Sequence, residues 1–73
     1  MSVMNHPELT QDEQMLRSWD WRAALRREER GVPWLARKTG KAQSTVYGYA
    51  YGSARPTLAW LREAYDLLER KAA

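Results

Sequence analysis

Between Arg37 and Arg55 the chain sets four cations, Arg37, Lys38, Lys41 and Arg55, around neutral hydrogen-bonding side chains: Gln43, Ser44, Thr45, Tyr47, Tyr51 and Ser53. Cationic side chains neutralise anions, and a guanidinium can hold a phosphate through two parallel hydrogen bonds. A carboxamide donates and accepts at once, and a hydroxyl does so from one atom, so Gln43 and Ser44 suit a partner presenting both kinds of edge. This is the chemistry of binding. Covalent catalysis needs a Ser, Thr or Cys beside an oriented base. The sequence has no cysteine, His6 is its one histidine, and no glycine-rich phosphate loop or glycine-flanked serine occurs. Glu28 and Glu29 lie among Arg26, Arg27 and Arg30 and read as solvated helix surface rather than an acid/base pair. One histidine without thiolates does not make a zinc site. We therefore expect no enzyme activity, no cofactor, no metal and no small-molecule substrate.

The cations are concentrated. The net charge of the 73 residues is +3, yet residues 1–20 hold four acids against Arg17, a net −3, and residues 21–56 hold eight Lys and Arg against two Glu, a net +6. The remainder is neutral. A chain of this length supports one domain with a marginal core, and without cysteine no disulfide compensates. Residues 1–9 read as a flexible acidic leader, 10–71 as the domain, and 71–73 as a fraying end. No signal peptide or membrane span is recognisable, and the absence of cysteine suits a reducing cytoplasm.

The elements that position these groups read as helical throughout. Phe and Ile are absent and no stretch alternates apolar and polar residues between hairpin turns. Thr10 to Glu13 has the T-x-x-E form of a capping box, starting a helix near Gln11. Met15, Trp19 and Ala23 recur at helical spacing, as do Trp21, Ala24 and Leu25, and Gly31 offers a stop. One helix from 11 to 30 and two helices meeting near 18–20 both fit. Pro33 suits the first turn of a short helix over about 33–39, ended by Gly40. Gln43 to Tyr51 forms another, anchored by Val46 with Tyr49 or Ala50, and Gly52 ends it. Thr57 caps a last helix whose Leu58, Leu61, Tyr65 and Leu68 share one face. The expected fold is all-α, a compact bundle of four to five helices. Trp19, Trp21, Trp34 and Trp60 are needed in so small a core, but positions 19 and 21 cannot share one helix face, which leaves one of them for a partner.

Two short helices joined by a glycine-containing turn over residues 33–51 are the skeleton of a helix-turn-helix, whose second helix enters the major groove of DNA. The string from Leu35 to Leu61 resembles the lambda-repressor-like (Xre/Cro/C1) family through Leu35-Ala36, Gly40, Gln43-Ser44-Thr45-Val46, Gly52, and Arg55-Pro56 before the Leu58/Leu61 helix. The resemblance covers roughly residues 21–68 and is strongest toward small phage Cro and repressor proteins. It implies a lambda-repressor-like fold in a bacterial cytoplasm, double-stranded operator DNA as partner, and homodimerisation across two half-sites. Gln43, Ser44, Thr45 and Tyr47 would read bases, with Gly48 beside them allowing close approach. Arg37, Lys38, Lys41, Tyr51, Ser53 and Arg55 would hold the DNA backbone. The chain's end soon after the last helix favours a Cro-like role over an inducible repressor. Two departures stand out: Ala42 replaces the usual Ser or Thr cap, and Val32-Pro33-Trp34 replaces the usual Thr-Gln opening. Residues 35–52 also resemble the excisionases, which need a β-hairpin wing after Gly52. An interaction module that inhibits a host protein through exposed tryptophans is the reading from another class.

Overall fold

A computed structural model describes residues 10–70; the leader expected at 1–9, with His6, and the fraying end expected at 71–73 lie outside them. The described residues form five helices and no strand: α1 (Gln11–Ser18), α2 (Trp21–Arg27), α3 (Val32–Thr39), α4 (Gln43–Tyr51) and α5 (Leu58–Leu68). α5 packs against α1, α2 and α3, and α3 packs against α4.

The capping box at Thr10 is complete, its hydroxyl accepting from the Glu13 amide at 3.1 Å and the Glu13 carboxylate accepting from the Thr10 amide at 2.8 Å. Of the two ways to run residues 11–30, the chain takes the broken one. Trp19 is extended, and the Asp20 carboxylate accepts from the Ala23 amide at 3.1 Å, so Asp20 caps a new helix. The break reorients both tryptophans. Trp21 is buried, and half-buried Trp19 meets Tyr65 edge-on with centroids 5.2 Å apart, so neither is left over for a partner as one continuous helix would require. Leu16, not Met15, carries α1 into the core, and Met15 is exposed.

The stop after α2 also differs from expectation. Glu29 takes the left-handed conformation (φ 58°), while the Arg30 amide donates to the Leu25 carbonyl at 2.9 Å and the Glu29 amide to the Arg26 carbonyl at 3.0 Å. These two bonds close a Schellman end without glycine. Gly31 instead precedes α3 as its N-cap, with Pro33 in the first turn. Between α3 and α4 the expected glycine makes the turn: Gly40 sits at φ 70°, and the Lys41 amide reaches the Ala36 carbonyl at 2.9 Å. Only glycine enters this region without steric penalty.

Trp60 is the centre of the core. Only 2 % exposed, it meets Trp21 and Tyr49 edge-on with centroids 5.2 and 4.9 Å away, and its indole N–H donates to the Thr39 hydroxyl at 3.0 Å. Leu16, Leu25, Leu35, Val46, Leu61 and Leu68 belong to the same buried cluster. The cluster takes residues from all five helices, which matters because an isolated helix the length of α4 is marginal in water.

Glu69 ties the end of α5 to α2. It accepts from the Trp19 indole N–H at 2.9 Å and pairs with Arg27 at 3.0 Å. The Trp19 hydrogen bond, followed by Arg27, holds its carboxyl below the ordinary value of 4.5, against the opposing effect of partial burial. A carboxyl whose folded pKa lies below its unfolded one adds stability that is present above the unfolded value and is lost as pH falls through the folded one. Between neutral pH and about pH 3, the thermal midpoint of the wild type is therefore expected to fall further than that of Glu69→Gln. The two should converge at the acid end, and parallel pH profiles would contradict this role for Glu69.

Candidate nucleic-acid interface

α4 has one anchored side. Val46 is fully buried and Tyr49 turns its ring to Trp60. At about 100° per residue, the side facing away from these two carries Ser44, Tyr47 and Tyr51, with Gln43 at its edge. Gln43 and Ser44 are exposed, and their side chains bond to no other group among the described residues. Both stand in the first turn, whose amides receive no side-chain acceptor because Ala42 is the cap. The α4 start thus presents hydrogen-bonding groups that the fold leaves unused.

Tyr47 is half-buried and stacks on Tyr51, with centroids 5.9 Å apart and planes 22° from parallel. Their four-residue separation brings the rings together on one helix face, and Tyr51, 79 % exposed, forms its outer edge. Thr45 is half-buried on the flank.

Gly48 departs from the sequence reading. It does not lie open beside Ser44 and Tyr47: a Cβ on it would stand 3.2 Å from the Ser53 hydroxyl and 3.5 Å from the Ala54 methyl. Its carbonyl accepts from the Ser53 and Ala54 amides at 3.0 and 3.2 Å. The small residue therefore lets the turn after α4 fold back onto the helix. This turn, which also carries Arg55, packs on Gly48, about 100° around the helix from Tyr47, and Ser53 is exposed with its hydroxyl 3.4 Å from the Gly48 carbonyl.

Arg37 and Lys38 are exposed in the last turn of α3, Lys41 in the turn before α4, and Arg55 in the turn after it. The ion pairs among the described residues lie elsewhere, joining Arg27 to Glu28 and Glu69, and Arg70 to Asp66. The four cations around α4 are left without a carboxylate among these residues. Uncompensated charge of one sign attracts a counter-charged ligand over several ångströms.

Three further arginines reach the α4 surface. Arg22, Arg26 and Arg30 line a groove of about 240 Å³ with Tyr47 and Tyr51. They count toward the basic middle of the sequence, but their place beside α4 depends on how α2 packs. The signal available beforehand was their spacing by four. No cluster of His, Cys, Asp or Glu suited to a metal ion occurs among the described residues, and no helix there is long and apolar enough to cross a membrane. The chain matches no known family model, no curated protein and no solved structure.

Proposed function

We propose that this domain is a sequence-specific regulator that binds double-stranded DNA through a helix-turn-helix formed by α3 and α4, in the manner of the lambda-repressor-like family that its sequence resembles. The observation that carries the reading is the pairing of exposed, unused Gln43 and Ser44 at the start of α4 with unpaired cations on both sides of it.

In this mechanism α4 lies in the major groove with its first turn toward the bases. Gln43 donates to N7 and accepts from the N6 amino group in the bidentate pattern that suits adenine, and Ser44 pairs with a neighbouring base edge. Thr45 and Tyr47 border these contacts. Arg37, Lys38, Lys41 and Arg55 neutralise phosphates, joined by the hydroxyls of Tyr51 and Ser53. The uncapped amides of α4 gain an acceptor when a phosphate approaches, which offsets the missing cap at Ala42. Regulation follows from occupancy, since the bound domain blocks polymerase or a competing protein, and a homodimer would match two half-sites.

The competing readings lose support on particular residues. A winged protein needs a hairpin after Gly52, where the chain turns into α5. An interaction module built on tryptophans needs them free, but Trp21 and Trp60 are buried, Trp19 packs on Tyr65, and Trp34 lies under the Arg30 guanidinium at 4.8 Å.

Footprinting on DNA upstream of its own coding sequence, followed by binding titrations of variants, tests the proposal. Gln43→Ala is expected to lose about 1–3 kcal/mol of preference for the protected site over a scrambled one. Lys41→Ala and Arg55→Ala should weaken both sites alike. Unchanged site preference in Gln43→Ala would contradict the assignment of Gln43 to base reading.

A further inference from the structure

We infer that the groove between α2 and α4 seats the sugar-phosphate backbone of the DNA strand that borders α4 on its tyrosine side. The inference rests on the reading of α4 as the helix that enters the major groove. A helix in that groove has a strand on each side. On one side of α4 the chain supplies the turn with Ser53 and Arg55, folded against Gly48. On the other it supplies the groove lined by Arg22, Arg26 and Arg30, with Leu25 at its base and Tyr47 and Tyr51 forming the α4 wall.

The chemistry of this groove matches a backbone better than a lone anion. Three guanidiniums rim it, and Arg22 and Arg26 stand one helical turn apart, about 6 Å along α2, comparable with the step between neighbouring phosphates of one strand. The wall of tyrosine rings gives a deoxyribose an apolar surface between those phosphates.

The three arginines differ in how far they are already engaged. Arg22 donates to the Ala50 carbonyl at 2.7 Å, which fixes its guanidinium against α4. Arg30 lies over the Trp34 ring. Arg26 is exposed and its side chain makes no hydrogen bond or ion pair among the described residues. Nothing within the fold engages its guanidinium, and of the three it is the most available to a phosphate. Tyr47 and Tyr51 belong both to the α4 surface and to the groove, so one ligand can run continuously from one to the other.

The test is a salt series of fluorescence-anisotropy titrations on a labelled random-sequence duplex of about two helical turns. It compares the wild type with Arg26→Ala, Arg26→Ala/Arg30→Ala, Lys41→Ala, and Arg62→Ala on α5 as an exposed control outside the groove. Thermal melts confirm that Arg26→Ala keeps its fold. Removing one cation from a phosphate should make the slope of log K against log salt shallower by about 0.9. Arg26→Ala is expected to lose one such step and the double variant about two, while Arg62→Ala retains the wild-type slope. If Lys41→Ala loses a step while both groove variants keep the wild-type slope and affinity, the groove assignment is overturned and DNA binding by α4 stands. If the groove variants keep DNA binding but lose binding of a labelled Glu- and Leu-rich peptide that the wild type retains, the groove belongs to a protein partner and the inference is overturned. If the wild type does not bind the duplex at low salt, the DNA reading and this inference fail together.

Discussion

Trp60→Ala is expected to leave the domain largely unfolded at room temperature. The indole is fully enclosed, contacts two other aromatic rings edge-on, and satisfies the Thr39 hydroxyl. Truncating a buried aromatic to alanine costs about 3–5 kcal/mol through reduced burial and the cavity left behind. A single core of this size supplies only about 3–5 kcal/mol of net stability, so the loss equals the whole margin. Circular dichroism should show the helical signal collapsing and the cooperative urea transition disappearing. Trp60→Phe keeps most of the ring packing but leaves the Thr39 hydroxyl without its indole donor, so it should stay folded with a lower midpoint. A Trp60→Ala protein that melts cooperatively within about 1 kcal/mol of wild type would remove Trp60 from the centre of the core.

Ser44→Glu is expected to separate folding from binding. Ser44 is exposed in the first turn of α4, which has no acidic residue there. A carboxylate near a helix N-terminus stabilises by about 0.3–1 kcal/mol, so the thermal midpoint should hold or rise. On DNA the same carboxylate would face the base edges and phosphates that α4 approaches. Like-charge juxtaposition at an interface costs several kcal/mol, and each 1.4 kcal/mol is about tenfold, so affinity should drop at least about a hundredfold. Calorimetric melts and binding titrations on one preparation read both effects. Wild-type affinity in Ser44→Glu would exclude this face of α4 from the DNA.

Features set by a few neighbouring residues were legible in the sequence. The capping box at Thr10, the cap at Thr57, the glycine ends at Gly40 and Gly52, and the apolar spacing of α5 each depend on groups within one helical turn. The break at Asp20 was harder, because apolar spacing continues on both sides and an Asp inside a helical pattern does not announce itself as a cap. Glu29 was hidden for a related reason. Glycine at 31 is the better residue for a left-handed turn, but the bond from Arg30 to the Leu25 carbonyl places that turn two residues earlier.

The candidate interface divides in the same way. Gln43, Ser44 and the cations beside them could be chosen from residue type and position relative to Val46. The covering of Gly48 could not, since it requires the turn at Ser53 and Ala54 to fold back on α4. The arginine groove depends on the packing of α2 beside α4, and no local pattern reports which face of α2 that will be.

The central claim is that α4 and its surrounding cations bind duplex DNA, and a salt titration of the wild-type protein on duplexes from upstream of its own coding sequence tests it most directly. The four cations around α4 on phosphates predict tight binding at low salt and a log K that falls linearly with log salt, with a slope of about −3 to −4 that Arg26 and Arg30 in the groove steepen by about a further 2. Absence of binding at low salt, or binding that salt does not weaken, would contradict the account.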